Sequence, residues 1–238
     1  MANEIYMPKI KRYGDEVITK GTPPIAWRQS YQRTALKQLY RFYDNAGDFV
    51  YLDTETTNLD GVFGGFVQVG ILDKDGNELF AELINPQAPI DEKAFKAHGI
   101  SQRDLEKADA RPFDEHYAAI RRVLIGKKVV IYNAKFDSQF ILGQCLRYGK
   151  PPIYVDEWWD LMPPVAMLLA PYNSQYRDFT FLKLSKAGER LKVKVPSNLH
   201  DAIADCHLTR GILETMRHDP NLAQLVYPII EEEIDADN

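Results

Sequence analysis

The sequence predicts an α/β fold, a mixed β-sheet flanked by helices, and three observations carry this. Apolar runs of strand length cluster early, at Phe49-Val50-Tyr51-Leu52, Phe66 to Leu72 and Glu78 to Leu83. Later, the apolar run Val129-Val130-Ile131-Tyr132 alternates with stretches of helical length and periodicity. Turn and capping residues separate these pieces, and early strands followed by strand–helix alternation point to a mixed sheet with helices on its faces.

Residues 1 to about 22 read as irregular, closing at Gly21-Thr22-Pro23-Pro24, and a helix rich in aromatic and basic residues is expected from Ala26 to about Tyr43. Asp75-Gly76 between the second and third apolar runs is a turn signal, so those two strands form a hairpin. Ser101 with Asp104 has the spacing of a capping pair, and Pro112 can open a helix reaching about Ile125. Asn133 is placed to cap a helix from Ala134 to Tyr148, which stops at Gly149-Lys150-Pro151-Pro152. A short strand is expected near Ile153–Val155. Helices are expected around Leu161–Leu169, with Asp160 at its start, around Phe181–Arg190, and from near Asp201 to about Arg217. The expected organisation is an N-terminal extension over 1–45, one domain over 46–218, and a C-terminal segment over 219–238 ending in an acidic tail.

Composition narrows the function. With 238 residues and a formal net charge of −5, the chain lacks the broad basic field that grips duplex nucleic acid everywhere. Any such contact must be local, through a small basic or aromatic patch or through bound cations. Cys145 and Cys206 lie in no paired metal-ligand spacing, and two cysteines make no disulfide framework, so a reduced, cytoplasmic setting is expected. The opening Met1-Ala2-Asn3-Glu4-Ile5-Tyr6 shows no basic region ahead of an apolar run, so no signal peptide is expected. The most apolar stretch, Leu161 to Ala170, is short and contains Pro163 and Pro164, so no membrane span is expected.

The chemistry-bearing residues are carboxylates. Asp53 and Glu55 end the first strand two residues apart, hence on one face. Two carboxylates so close need a cation or a proton between them, and hard divalent cations prefer oxygen ligands. Asp73/Asp75 and Asp235/Asp237 share the spacing but read as a turn and a solvated tail; the apolar strand in front of Asp53 sets that pair apart. Asp137 falls in the first turn of a helix after a buried strand, where the helix dipole alone would favour an acid. Asp201 has the position of an N-cap, with His200 in the loop before it and Asp205 one turn in.

Taken together, Asp53-Thr54-Glu55, Asn133-Ala134-Lys135-Phe136-Asp137 and His200 through Asp205 resemble, in order, the motifs of the DEDDh exonucleases, the family of proofreading exonucleases and RNase T-like enzymes. Ile90, Ala94 and His98-Gly99-Ile100 support the resemblance, which spans about residues 48 to 217. It implies a ribonuclease H-like fold and a metal-dependent 3′→5′ exonuclease that releases 5′-mononucleotides from single-stranded ends, DNA favoured over RNA. It also implies two Mg²⁺ ions, with Mn²⁺ able to substitute, held by Asp53, Glu55, Asp137 and Asp205, and His200 as general base. Thr56, Asn58, Leu59, His98 and Phe136 match positions that meet substrate. Two departures stand out. Asn58 replaces a frequent glycine, which its tolerance of left-handed geometry would permit, and Gln68 stands where relatives often carry an acid. Implied partners are single-stranded 3′ ends of DNA or RNA and a polymerase or other replication protein. Two rival readings remain, a proofreading subunit docked to a DNA polymerase and a catalytically inactive nucleic-acid-binding scaffold.

Overall fold

The computed structural model describes residues 48–170, 181–198 and 200–218, the backbone at 172–173 and 178–179, and residues 30, 34, 35, 38 and 39. Most of the expected N-terminal helix and the acidic tail lie outside the described residues; Ser30, Thr34, Ala35, Gln38 and Leu39 are helical. The chain divides into two compact units, one of residues 47–161 and 195–210, the other of residues 1–46, 162–194 and 211–238.

The first unit is built on the sheet. Strands β1 (Phe49–Thr56), β2 (Phe66–Asp73) and β3 (Glu78–Asn85) form an antiparallel meander, and β2 and β3 are joined through the expected turn, with Gly76 at φ 94°. Helices α1 (Glu92–His98) and α2 (Gln102–Lys107) follow, and Ser101 and Asp104 form the complete reciprocal capping box. A two-residue strand β4 (Arg111–Pro112) precedes α3 (Phe113–Leu124). Strand β5 (Lys128–Ile131), helix α4 (Ala134–Arg147) and strand β6 (Glu157–Asp160) complete the unit up to residue 161. The strand order is β4-β3-β2-β1-β5-β6, with β5 parallel to β1 and β6 parallel to β5, so the sheet is mixed as expected.

Alternation along the strands decides which residues enter the core. Val50 and Leu52 of β1 and Val69 and Ile71 of β2 pack with Phe113, Ile120 and Leu124 of α3 and Phe140, Ile141 and Cys145 of α4. The Phe140 ring sits 6.0 Å from that of Phe66 and 4.9 Å from that of Phe136. Phe140→Ala should therefore cost about 3–5 kcal/mol of stability, read from denaturant unfolding. A cost near zero would mean that α4 is not held by this contact. A second device fixes α4 against the β1–β2 loop. A Cβ on Gly143 would lie 1.8 Å from the Gly61 carbonyl oxygen, and the buried Gln144 amide donates to the Gly64 carbonyl at 2.8 Å.

The second unit contains α5 (Met162–Leu169), the two-residue pair β7 (Tyr172–Asn173) and β8 (Asp178–Phe179), and α6 (Leu184–Leu191). The long helix α7 (Ala202–Arg217) contributes its first nine residues to the first unit and the rest to the second. Among the described residues, no helix is long and apolar enough to cross a membrane.

Four local expectations are corrected. The strand lies at Glu157–Asp160, not at Ile153–Val155, and Asp160 ends that strand instead of opening a helix. Ladder pairing with Lys128–Ile131 outweighs the higher strand propensity of Ile153-Tyr154-Val155, which follows two prolines. Asn133 makes no side-chain cap for α4; it takes left-handed backbone at φ 80°, and its N–H donates to Asp160 Oδ1 at 2.9 Å. Asn58 is not left-handed. Its side chain instead accepts the Asp60 N–H at 2.8 Å, an Asx turn that serves where glycine would have served by backbone freedom.

Candidate active site

The two carboxylates of β1 occupy one face because they are two residues apart, and the register of β2 determines what stands beside them. Asp53 pairs with Gly70 and Glu55 with Gln68. The start of α7 meets β2 on this face. A Cβ on Gly70 would lie 2.8 Å from the Ala202 carbonyl carbon and 2.9 Å from the Ile203 nitrogen, so glycine is what lets helix and strand approach backbone to backbone. One turn into α7, Asp205 is thereby brought next to Glu55. Glu55, His200 and Asp205 each offer a ligand atom within 4.8 Å of the others, a group able to hold a metal ion.

His200 sits just before the helix, exposed, with φ 64°. Left-handed backbone at a non-glycine residue costs about 1–2 kcal/mol, so it must be held. Its backbone N–H donates to Asp205 Oδ2 at 3.3 Å, and Asp201 Oδ1 accepts the Ala204 N–H at 3.0 Å, the expected N-cap.

Asp137 arrives from the other side of β1. Thr54, between the two carboxylates, points to the face covered by α4, and its hydroxyl donates to Asp137 Oδ1 at 2.6 Å. The five side chains expected from the sequence to act in catalysis thus belong to one unit, on β1, at the start of α4 and at the start of α7.

This arrangement is electrostatically unfavourable by itself. Burial, then the charges of Asp137, Glu55, Asp205 and Asp201, hold the Asp53 carboxyl well above the ordinary carboxylate range. Burial and the neighbouring Asp205, Asp137 and Asp201 push Glu55 to about 9. Burial raises Asp137 to about 7, with the Thr54 hydroxyl opposing and Asp160 adding to the rise. Burial raises Asp205 to about 6, against the influence of His200. Asp205 Oδ1 is also buried without a hydrogen-bond partner. Repelling carboxylates and an orphaned buried acceptor share one remedy, a hard divalent cation with oxygen ligands, and the donor set fits it.

A cleft of about 1040 Å³ opens onto this cluster through Glu55, which lines it together with Thr56, Asn58, Leu59, His98 and Phe136. All five residues expected to meet substrate therefore share one wall with Glu55, while Asp53, Asp137, His200 and Asp205 stand outside that wall. Leu59 is 88% exposed at the cleft. Phe136 is half-buried and serves both cleft and core, its ring resting on Phe140. His98 accepts the Ile100 N–H on Nδ1 at 3.0 Å, which leaves its hydrogen on Nε2; burial lowers its pKa and keeps the ring neutral.

Sequence reasoning missed Thr54 and a second face of α4. Gln139, Leu142 and Leu146 also line the cleft, and Leu142 and Leu146 are exposed. Their signal was present, since α4 carries apolar residues on two faces, one more than packing on the sheet requires. Among the basic residues Lys183, Lys186, Arg190, Lys192 and Lys194, which follow one another closely in sequence, two are engaged locally. Lys186 pairs with Glu189 at 2.7 Å, and Arg190 donates to the Leu169 carbonyl.

A mixed sheet flanked by helices, with a carboxylate cluster at the end of its first strand, is the ribonuclease H-like fold expected from the sequence. The chain belongs to the exonuclease family, whose model, RNase_T, matches residues 50–213. It is 28% identical over 173 residues to the uncharacterized exonuclease CP81 of Escherichia phage 186, covering 71% of this chain and 88% of that protein. It is 25% identical over 179 residues to the DNA polymerase III subunit epsilon of Buchnera aphidicola subsp. Baizongia pistaciae, covering 70% and 69%. In fold it is similar to E. coli exonuclease I, solved in complex with a dT13 oligonucleotide, with a TM-score of 0.60 and 17% identity, covering 76% of this chain and 43% of that one. The chain thus spans less than half of exonuclease I. The resemblance to DEDDh exonucleases is borne out at the level of family and fold.

Proposed function

We propose that this chain is a metal-dependent 3′→5′ exonuclease that releases 5′-mononucleotides from single-stranded ends, with DNA favoured over RNA, and that residues 46–218 form its exonuclease domain. One observation carries the reading. Buried, mutually repelling carboxylates with an unsatisfied acceptor stand beside His200, and one of them, Glu55, lines a cleft of about 1040 Å³.

Asp53, Glu55, Asp137 and Asp205 would hold two Mg²⁺ ions, with Mn²⁺ as a substitute. Bound there, the ions would neutralise the phosphodiester and favour ionisation of the attacking water, which lets a net-acidic protein act on nucleic acid. The His200 imidazole takes the proton of that water. The water oxygen bonds to phosphorus, the bond from phosphorus to the penultimate 3′ oxygen breaks, and that oxygen takes up a proton from solvent while His200 returns its own to solvent. Thr56 and Asn58 shape the loop that meets the terminal nucleotide, Leu59 acts as an apolar wedge, and Phe136 and His98 face the base and sugar. Apolar surface at Leu59, Leu142 and Leu146 suits the faces of unpaired bases without choosing among them.

The test is matched single-stranded DNA, RNA and duplex substrates, each labelled at either end, incubated with Mg²⁺. Stepwise mononucleotide release from the 3′ end of single strands is expected, faster for DNA. Release from the 5′ end, or none, would overturn the proposal. His200→Ala should lower the rate by about 10²–10⁴-fold, measured under saturating substrate; a smaller loss would place the base elsewhere.

A second reading, a proofreading subunit docked to a polymerase, is favoured by the similarity to polymerase III subunit epsilon. Stable co-purification with a polymerase would support it. Metal binding without any cleavage would support an inactive scaffold instead.

A further inference from the structure

We infer that Gln68 is a positioning residue. Its side-chain amide bridges strand β2 to the first turn of α7 and so sets where His200 and Asp205 stand relative to Glu55. The clamp itself rests on the hydrogen-bond geometry, and its kinetic and metal-binding consequences rest on the proposed function.

The geometry is a two-point clamp. Gln68 Nε2 donates to Asp201 Oδ2 at 2.9 Å, and the Ala202 N–H donates to Gln68 Oε1 at 3.0 Å. Both partners belong to the residues between His200 and Asp205, and Gln68 itself is the strand neighbour of Glu55. The other Asp201 oxygen is already occupied as the N-cap of Ala204. Both oxygens of Asp201 and both polar atoms of the Gln68 amide are therefore engaged, and the amide can take only one orientation. Turned over, its NH₂ would face the Ala202 N–H and its oxygen would face the Asp201 carboxylate, leaving two donors and two acceptors opposed.

The clamp acts where the other ties on the helix start are weak. Gly70 allows the close approach but, having no side chain, supplies no restoring contact of its own. The Cys206 thiol donates to the Gly70 carbonyl at 3.4 Å, a weak bond placed further along the helix. His200 is in left-handed backbone and makes a 3.3 Å backbone hydrogen bond to Asp205. A shift of this turn would move a proposed metal-holding carboxylate and the proposed base together. Gln68 thus stands to the cluster as outer partners stand to metal ligands, and loss of such partners costs about 10–100-fold in metal affinity or activity.

The hydrogen-bond chemistry yields a rescue. Gln68→Glu keeps the acceptor for Ala202 but sets a carboxylate against Asp201. Asp201→Asn keeps the cap for Ala204 but sets an NH₂ against Gln68 Nε2. Together, Gln68→Glu and Asp201→Asn restore the pattern with donor and acceptor exchanged, since the amide introduced at position 201 now donates to the carboxylate introduced at position 68. Wild type, both single variants and the double variant are compared in single-stranded oligonucleotide cleavage and in Mn²⁺ affinity by calorimetry. Each single variant should lose about 10–100-fold in kcat with KM nearly unchanged, and should lose Mn²⁺ affinity on the same scale. The double variant should return to within about threefold of wild type in both. A double variant no better than the worse single, or singles that match wild type, would overturn the inference. A wild type that binds Mn²⁺ yet cleaves nothing would remove the exonuclease reading, while the Mn²⁺ cycle would still decide the clamp. A wild type that does neither overturns both.

Discussion

Asp205→Asn should stop nucleotide release and at the same time raise the melting temperature of the metal-free protein. The two effects have one cause. Asp205 is buried beside Glu55, and its second oxygen has no partner, so without a cation the carboxylate contributes repulsion and an unsatisfied acceptor. Its one hydrogen bond, from the His200 N–H at 3.3 Å, can be accepted equally by an asparagine oxygen. Removing the charge therefore relieves the folded state and costs little packing. Catalysis loses a ligand whose electrostatic contribution is several kcal/mol, so a fall of about 10³-fold or more is expected. Asp53→Asn should behave alike, because Asp53 feels the charges of all three other proposed ligands. The gain in melting temperature should widen as pH rises, since at acid pH the wild-type carboxyls already carry protons. Ordinary turnover by either variant would remove the residue from the site. A lower melting temperature at mildly alkaline pH would show that the carboxylate is held by contacts other than a cation.

The same residues show what a single sequence can and cannot reveal. β1, β2 and β3 were readable because apolar residues and the Asp75-Gly76 turn are local signals. Asp53 and Glu55 stood out because an apolar strand runs directly into them, whereas Asp137 and Asp205 were singled out by the ordered resemblance to the DEDDh motifs, since a helix start alone already favours an acid. The closeness of α7 to β2 was not read, although Gly70 inside an apolar strand is the kind of residue that marks a close backbone approach. The pairing of Gln68 with Asp201 could not be read at all, because a hydrogen bond between positions 133 residues apart has no local signature. Strand β6 was displaced for a related reason. Pairing with β5 selected Glu157–Asp160, and propensity alone favours the preceding Ile153-Tyr154-Val155. The cleft side of α4 was overlooked because Leu142 and Leu146 look like core residues until a cleft is known to run past them.

The chelated protein should melt at progressively lower temperature from about pH 6.5 to about pH 9, and Mg²⁺ or Mn²⁺ should restore more stability the higher the pH. The sign follows from which state holds the protons. Glu55 moves from 4.5 in the unfolded chain to about 9 in the fold, and Asp53 lies well above its ordinary 3.8. Between those values the folded state binds more protons than the unfolded state. Their contribution is fully present below the unfolded pKa and is lost as pH rises through the folded one. Asp137 and Asp205, raised to about 7 and about 6, act in the same direction over the lower part of the range. Three groups oppose them at lower pH. Asp73, where burial raises but the Asn77 side chain and backbone N–H groups lower the pKa by more, and Asp104, lowered by the Ser101 hydroxyl, have given their full contribution by about pH 5. His98, lowered by burial, has done so by about its ordinary pKa of 6.5. Above that point the carboxylate cluster decides the slope. A cation displaces these protons, so its affinity rises with pH, and at a hundredfold excess over Kd it adds about 2.7 kcal/mol. Thermal melts with chelator and with added metal, across this window, separate the outcomes. A flat or rising melting temperature in chelator would mean that the carboxylates are neutralised by protein groups, and the proposed metal site would have to be abandoned.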